Sequence, residues 1–183
     1  MNNRIIKRVG IVIGALLVAG ALAGTAAAVL TADAGGAQLR VDKRTDNFPR
    51  TTSSIVFVDL PGANVVVSVP ANQSRLYDVP FFAESKCAGP NGGGWCSVRI
   101  IATDIATGVS TELNPQAGLD YAFDSDMAGA TDDLWEGHGM ERSRRLSGGA
   151  NGANYRIRVQ YAVTNNTIAF TLDDLHLAVL TNL

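Results

Sequence analysis

Tyr155, Arg156, Ile157, Arg158, Val159, Gln160, Tyr161, Ala162 and Val163 stand in one run near the C-terminus of the chain. Tyr155, Ile157, Val159, Tyr161 and Val163 alternate with Arg156, Arg158 and Gln160, and only an extended chain has period two, so the first set shares one face of a β-strand and that face is core. The same pattern recurs in Ile168, Phe170 and Leu172 and then in Leu175, Leu177 and Val179. Asn165 and Asn166 between them tolerate positive φ and supply a turn. Working back along the chain, apolar runs rich in Val, Ile, Phe and Tyr recur, each bounded by Gly, Pro, Asn or Asp. The spacing predicts strands over 54–59, 63–69, 75–84, 96–103, 119–124, 138–146, 154–163, 167–172 and 174–181. No helical stripe interrupts them. Short strands joined by short loops predict an all-β domain, an antiparallel two-sheet sandwich of jelly-roll type.

The N-terminus has a different composition. Arg4, Lys7 and Arg8 precede an uncharged run from Val9 to Leu30, followed by Ala32, Asp33 and Ala34. A basic start, an apolar stretch and a small-x-small end make a secretory signal peptide. Retained, the same run is long enough to span a bilayer as a membrane anchor helix. Both readings keep the basic residues inside and deliver the rest outside, so the expected location is extracellular or at the outer face of the cytoplasmic membrane. Residues 1–34 are therefore read as signal or anchor, 35–52 as a linker without period, and 53–183 as the sandwich domain. About 150 residues beyond the signal suit a single domain.

At 46% hydrophobic and 17% charged residues, with a net charge of −2, the chain can build a core and is not disordered. Without clustered Lys and Arg among aromatics it offers no nucleic-acid surface, and it touches membrane only through its N-terminal segment. Cys87 and Cys96 are the only cysteines, and the loop between them carries Gly89, Pro90, Gly92, Gly93 and Gly94. In an oxidising compartment they are expected to form a structural disulfide.

Gly152, Asn154 and Tyr155 through Ala162, together with Thr171, Leu172, Asp173, Asp174, Leu175, His176 and Leu177, resemble strands of jelly-roll, galactose-binding-like carbohydrate-binding modules. The resemblance covers about 30 residues, too few for a fold argument to fix a function. It implies a glycan ligand and a structural calcium near the last strand, with Asp173 or Asp174 as ligands. The partner acids those modules place at the domain's N-terminus have no obvious match here. The stretch from Phe82 to Cys87, with Trp95 to Arg99, resembles uncharacterised secreted proteins of Gram-positive bacteria.

Between Arg99 and Arg142 the chain carries Asp104, Glu112, Asp120, Asp124, Asp126, Asp132, Asp133, Glu136 and Glu141 and no Lys or Arg, after which Arg142, Arg144, Arg145, Arg156 and Arg158 reverse the sign. Opposite charges on neighbouring strands could pair. The alternative is a Ca²⁺ site on Asp124, Asp126, Asp132 and Asp133, because a hard cation takes six to eight oxygens and these acids lie close together among small residues. Structural Ca²⁺ is the one cofactor the sequence suggests. His138, Glu141 and His176 are the material for acid–base or zinc chemistry, but His138 and Glu141 fall on opposite faces of a strand. No Gly-x-Ser-x-Gly elbow occurs, and no catalytic residue is assigned. Trp135, Arg158 and His138 are the expected ligand contacts, Trp135 because an exposed indole offers sugars a flat apolar face. The expected function is thus a non-catalytic exported domain that binds a glycan or, alternatively, an envelope protein. A hydrolase using His138 with Asp or Glu is the third reading.

Overall fold

The structure, a computed structural model, describes residues 39–89, 94–116, 121–126 and 134–182. These residues form strands β1 (Leu39–Asp46), β2 (Arg50–Thr52), β3 (Val58–Val69), β4 (Ser74–Ala88), β5 (Gly94–Asp104), β6 (Ser110–Glu112), β7 (Asp124–Asp126), β8 (Glu136–Ser147), β9 (Ala153–Val163) and β10 (Ala169–Asn182). Two antiparallel sheets result, one ordered β1-β10-β4-β8 and the other β3-β9-β5-β6, with β2 added beside β10 and β7 beside β5. With the short β2 and β7 set aside, the first strand pairs with the last, the second with the second last, and so inward to β5 and β6. That is the order of a long hairpin rolled up on itself, the jelly roll.

The decisive run is β9, central in its sheet between β3 and β5. Ile157, Val159, Tyr161 and Val163 are buried in the core together with Val65, Val67, Val98, Ile100, Phe81, Phe170 and Leu177 from both sheets. Tyr155, nearer the open end, packs half-buried against the same cluster. The C-terminal half of β9 is buried on its other face as well, at Gln160 and Ala162. The segment before β3 lies over that face: Val163 N–H donates to the Ser54 carbonyl, and the Phe57 ring stacks on Arg99. Tyr77, enclosed in the core, donates to the Ser68 carbonyl, and burial pushes its phenol above the ordinary value because the anion would lose its hydration.

Two sequence expectations need correction. Part of the stretch 35–52, read as linker, is structured: Leu39–Asp46 pairs residue for residue with β10, from Leu39 opposite Asn182 to Asp46 opposite Leu175, and Arg50–Thr52 continues along the same strand. The rolled sheet therefore begins before Ser53. The reason is that β1 is an edge strand, and edge strands keep charges on them because an apolar edge would recruit other chains. The separate strands expected at 167–172 and 174–181 are one strand, interrupted by a bulge where the β10–β4 register shifts between Asp173 and His176. Asp174 takes a positive φ of 44° there, and its N–H donates to Asp173 Oδ1 at 2.8 Å. An Asp at a left-handed position with a local side-chain bond is how a bulge is made without glycine. Likewise the end of the strand expected at 54–59 and the strand expected at 63–69 are one strand, β3, bulged between Asp59 and Asn64, while residues 54–57 precede it outside any strand. The N-terminal segment 1–34 lies outside the described residues. Among the described residues no helix is long and apolar enough to cross a membrane.

Candidate functional site

At one end of the sandwich the two sheets are tied by the Cys87–Cys96 disulfide, which joins β4 of one sheet to β5 of the other. Beside it lies a pocket of about 220 Å³ lined by Cys87, Ala122, Phe123, Asp124, Ser125, Leu134, Glu136 and His138. Three elements build it. On β8, Glu136 and His138 are two residues apart and so project from the same face, the one that further along carries the buried Met140 and Leu146. On β4, Ser85 stands opposite Glu136 in register and diagonal to His138. On β7, Asp124 stands opposite Cys96 across the β5–β7 ladder, and the preceding Phe123 N–H donates to the Cys96 carbonyl. Asp124 thus reaches the site from the second sheet.

One ligand atom each of Asp124, Glu136 and His138 lies within 4.8 Å of the other two. Ser85, 0% exposed, connects them: its Oγ is 2.6 Å from Asp124 Oδ2 and 2.8 Å from His138 Nδ1. A hydroxyl carries one hydrogen and an ionised carboxylate can only accept, so Ser85 donates to Asp124 and must accept from His138 Nδ1–H. The imidazole tautomer follows. Nε2 is the nitrogen left to face Glu136, whose Oε2 is 3.5 Å away. The ring is further held by an edge contact with Phe123, centroids 5.6 Å apart, and Phe123 in turn packs on Phe81 and Phe170. Asp124 Oδ1 accepts the Ser125 N–H at 2.7 Å. Core packing and hydrogen bonds therefore fix two of the three polar groups, while Glu136 extends into solvent.

The structure brings together His138 and Asp124 of the residues singled out in the sequence. Trp135 is half-exposed between Leu134 and Glu136, both of which line the pocket. Asp126 is buried on β7, with Oδ2 lacking a hydrogen-bond partner, and does not line the pocket. Asp132 and Asp133 lie outside the described residues. Asp173 and Asp174 form the β10 bulge, in the other calcium position considered. Arg158 is far from these groups in the fold, on the outer face of the β3-β9-β5-β6 sheet, where its Nη1 pairs with Asp59 Oδ2 at 3.0 Å. Asp59 also accepts from Gln160, Gln160 accepts from Arg99, and Arg99 lies 3.7 Å from Glu112. These two ion pairs differ from the expected complementation: Arg158 takes an acid from outside the acidic block, and Glu112 of the block takes Arg99 and not one of the later arginines. Arg142 stacks on Tyr121 and Arg144 donates to the Glu112 carbonyl. His176 sits on β10 opposite Phe82 and Thr45, away from His138.

On β8 the odd separation of His138 and Glu141 puts them on opposite faces, which weakens a joint role. The same parity rule selects Glu136, two residues upstream. Ser85 has no sequence signal, since its role depends on the β4–β8 register.

No protein-family profile matches the chain, and no curated protein does. Among solved structures, the infectious bursal disease virus Gt strain is similar at 10% identity and a TM-score of 0.40, over 79% of this chain and 33% of the viral one. The CBM22-1–GH10 modules of the Clostridium thermocellum N-terminal endo-1,4-beta-D-xylanase 10B, complexed with xylohexaose, match at 13% identity and a TM-score of 0.31, over 78% of this chain and 29% of that one. Dimeric latent PorU from Porphyromonas gingivalis matches at 16% identity and 0.28, over 81% and 14%. The chain spans about a third or less of the length of these proteins.

Proposed function

We propose that this chain is an exported, non-catalytic β-sandwich domain that binds a glycan at the cell envelope through the pocket beside the disulfide. The observation that supports this reading is an open pocket lined by the acceptor-rich groups Asp124, Glu136 and His138, with Trp135, 45% exposed, adjoining it in sequence between the pocket-lining Leu134 and Glu136. Carboxylates accept from sugar hydroxyls and an indole face covers the apolar side of a pyranose ring. The Ser85 hydroxyl gives its hydrogen to Asp124 and is enclosed, so it is not poised as a nucleophile. The disulfide suits an oxidising location outside the cytoplasm.

The test is a glycan array with the full-length chain, followed by calorimetric titration of any sugar found. Trp135→Ala is expected to weaken binding at least about tenfold, as loss of a stacking platform would, with the melting temperature unchanged because the indole is not core. Absence of binding to every sugar, or full binding by Trp135→Ala, would refute the reading.

A further inference from the structure

We propose that the same pocket holds one divalent transition-metal ion of the zinc class, ligated by His138 Nε2 and by carboxylate oxygens of Glu136 and Asp124. The proposal uses the pocket assigned above to a glycan but needs no sugar.

Three observations converge. First, the three residues come from two strands, β8 of one sheet and β7 of the other, yet one ligand atom of each lies within 4.8 Å of the other two. Second, the separation is that of coordination: His138 Nε2 and Glu136 Oε2 are 3.5 Å apart, and two ligands about 2.0–2.1 Å from a tetrahedral ion stand roughly 3.3 Å apart. Third, Ser85 orients the ligands from behind. Fully buried, it accepts from His138 Nδ1–H and donates to Asp124, leaving Nε2 as the nitrogen directed to Glu136. Metal-bound histidines are held in this way, the non-ligating nitrogen donating to a fixed oxygen, and ligating carboxylates are themselves hydrogen-bonded, as Asp124 is by Ser85 and Ser125.

The donor set selects the ion. Ca²⁺ takes six to eight oxygens and seldom nitrogen, whereas one imidazole with two carboxylates suits Zn²⁺ and its neighbours. Three protein ligands leave a fourth position open on the pocket side, where an oxygen of a bound molecule would coordinate.

The full-length chain, stripped with chelator and free of sugar, is titrated with ZnCl₂ and separately with CaCl₂ by calorimetry, and its melting temperature is followed in parallel. Expected are one Zn²⁺ per chain, a melting temperature that rises with zinc by mass action, and weakening of at least about tenfold in His138→Ala and in Glu136→Gln. Ser85→Ala should weaken binding by about 10- to 100-fold, the usual effect of removing a group that orients a ligand. Glu136→Gln changes an exposed, isosteric side chain and so keeps the fold while testing the ligand. Absence of zinc binding, zinc binding left intact by both His138→Ala and Glu136→Gln, or tighter binding of calcium than of zinc would overturn the proposal. Zinc binding without sugar binding would sink the glycan reading alone, and sugar binding without zinc would sink this one alone.

Discussion

Val159 and Arg158 are adjacent on β9 and should respond very differently to truncation. Val159 is 0% exposed, sits opposite Ile100 in the ladder, and belongs to the core cluster. Val159→Ala removes two methyl-sized groups, about 1.6 kcal/mol of lost burial at roughly 0.8 kcal/mol each. A central strand flanked by β3 and β5 cannot collapse freely into the gap, so residual cavity adds up to about 1 kcal/mol. The expected cost is about 1.6–2.6 kcal/mol, or about 3–10 °C in melting temperature for a domain of this size. Arg158→Ala removes an ion pair to Asp59 in which the Arg side chain is 23% and the Asp 51% exposed, it also removes a buried Nε that has no hydrogen-bond partner among the described residues, and Asp59 keeps its bond from Gln160 at 2.7 Å. Exposed pairs contribute under about 1 kcal/mol. Urea unfolding of both variants, with equal m-values to confirm that only stability changed, measures the difference. Equal, large losses would mean that the outer face at residue 158 is as dry as the core side, and the inside–outside assignment of β9 would be wrong.

The remaining expectations concern the covalent tie and a tight turn. The protein purified without reductant should show no free thiol by intact mass after alkylation, and reduction should cost about 2.5–3 kcal/mol on the chain-entropy account of a ten-residue loop, readable in the urea midpoint. Gly148→Ala should cost at least about 2 kcal/mol by the same unfolding assay, because a Cβ there presses into the Pro70 carbonyl and lies 2.7 Å from that of Val69, backbone that cannot rotate away. Gly149→Asn, at φ 57° with open space around it, should stay within about 0.5 kcal/mol of the parent, since Asn tolerates the left-handed region. Similar losses from both would refute the steric argument.

The strands that could be read from sequence are those with one wet and one dry face. Tyr155 to Val163 announces itself because Ile157 and Val159 face the core while Arg156 and Arg158 do not. Leu39–Asp46 does not, because its run of Arg40, Asp42, Lys43, Arg44 and Asp46 belongs to an edge strand, where backbone pairing with β10 supplies the stability and side chains are left to solvent. β6 is three residues long, below the length at which any period shows. The Asp173–Asp174 pair, which sequence treats as a boundary or a calcium ligand, is a bulge inside one strand, a distinction that only the register with β4 makes.

The site is harder to read for a related reason. His138 and Glu136 share a face by parity alone, but Asp124 joins them from the other sheet, and Ser85 joins through a diagonal across β4 and β8. Once assembled, the cluster is not evenly satisfied. Toward the core it is closed: Ser85 spends its one hydrogen on Asp124, accepts from Nδ1, and is sealed from water, as a buried hydroxyl must be. Toward the pocket it is open, for Nε2 and Glu136 stand 3.5 Å apart, longer than a strong hydrogen bond, and the Glu136 side chain is 64% exposed. A network that served only to hold the fold would gain most by closing on both sides. The unspent coordination of Nε2 and Glu136 faces the one direction from which a ligand can arrive.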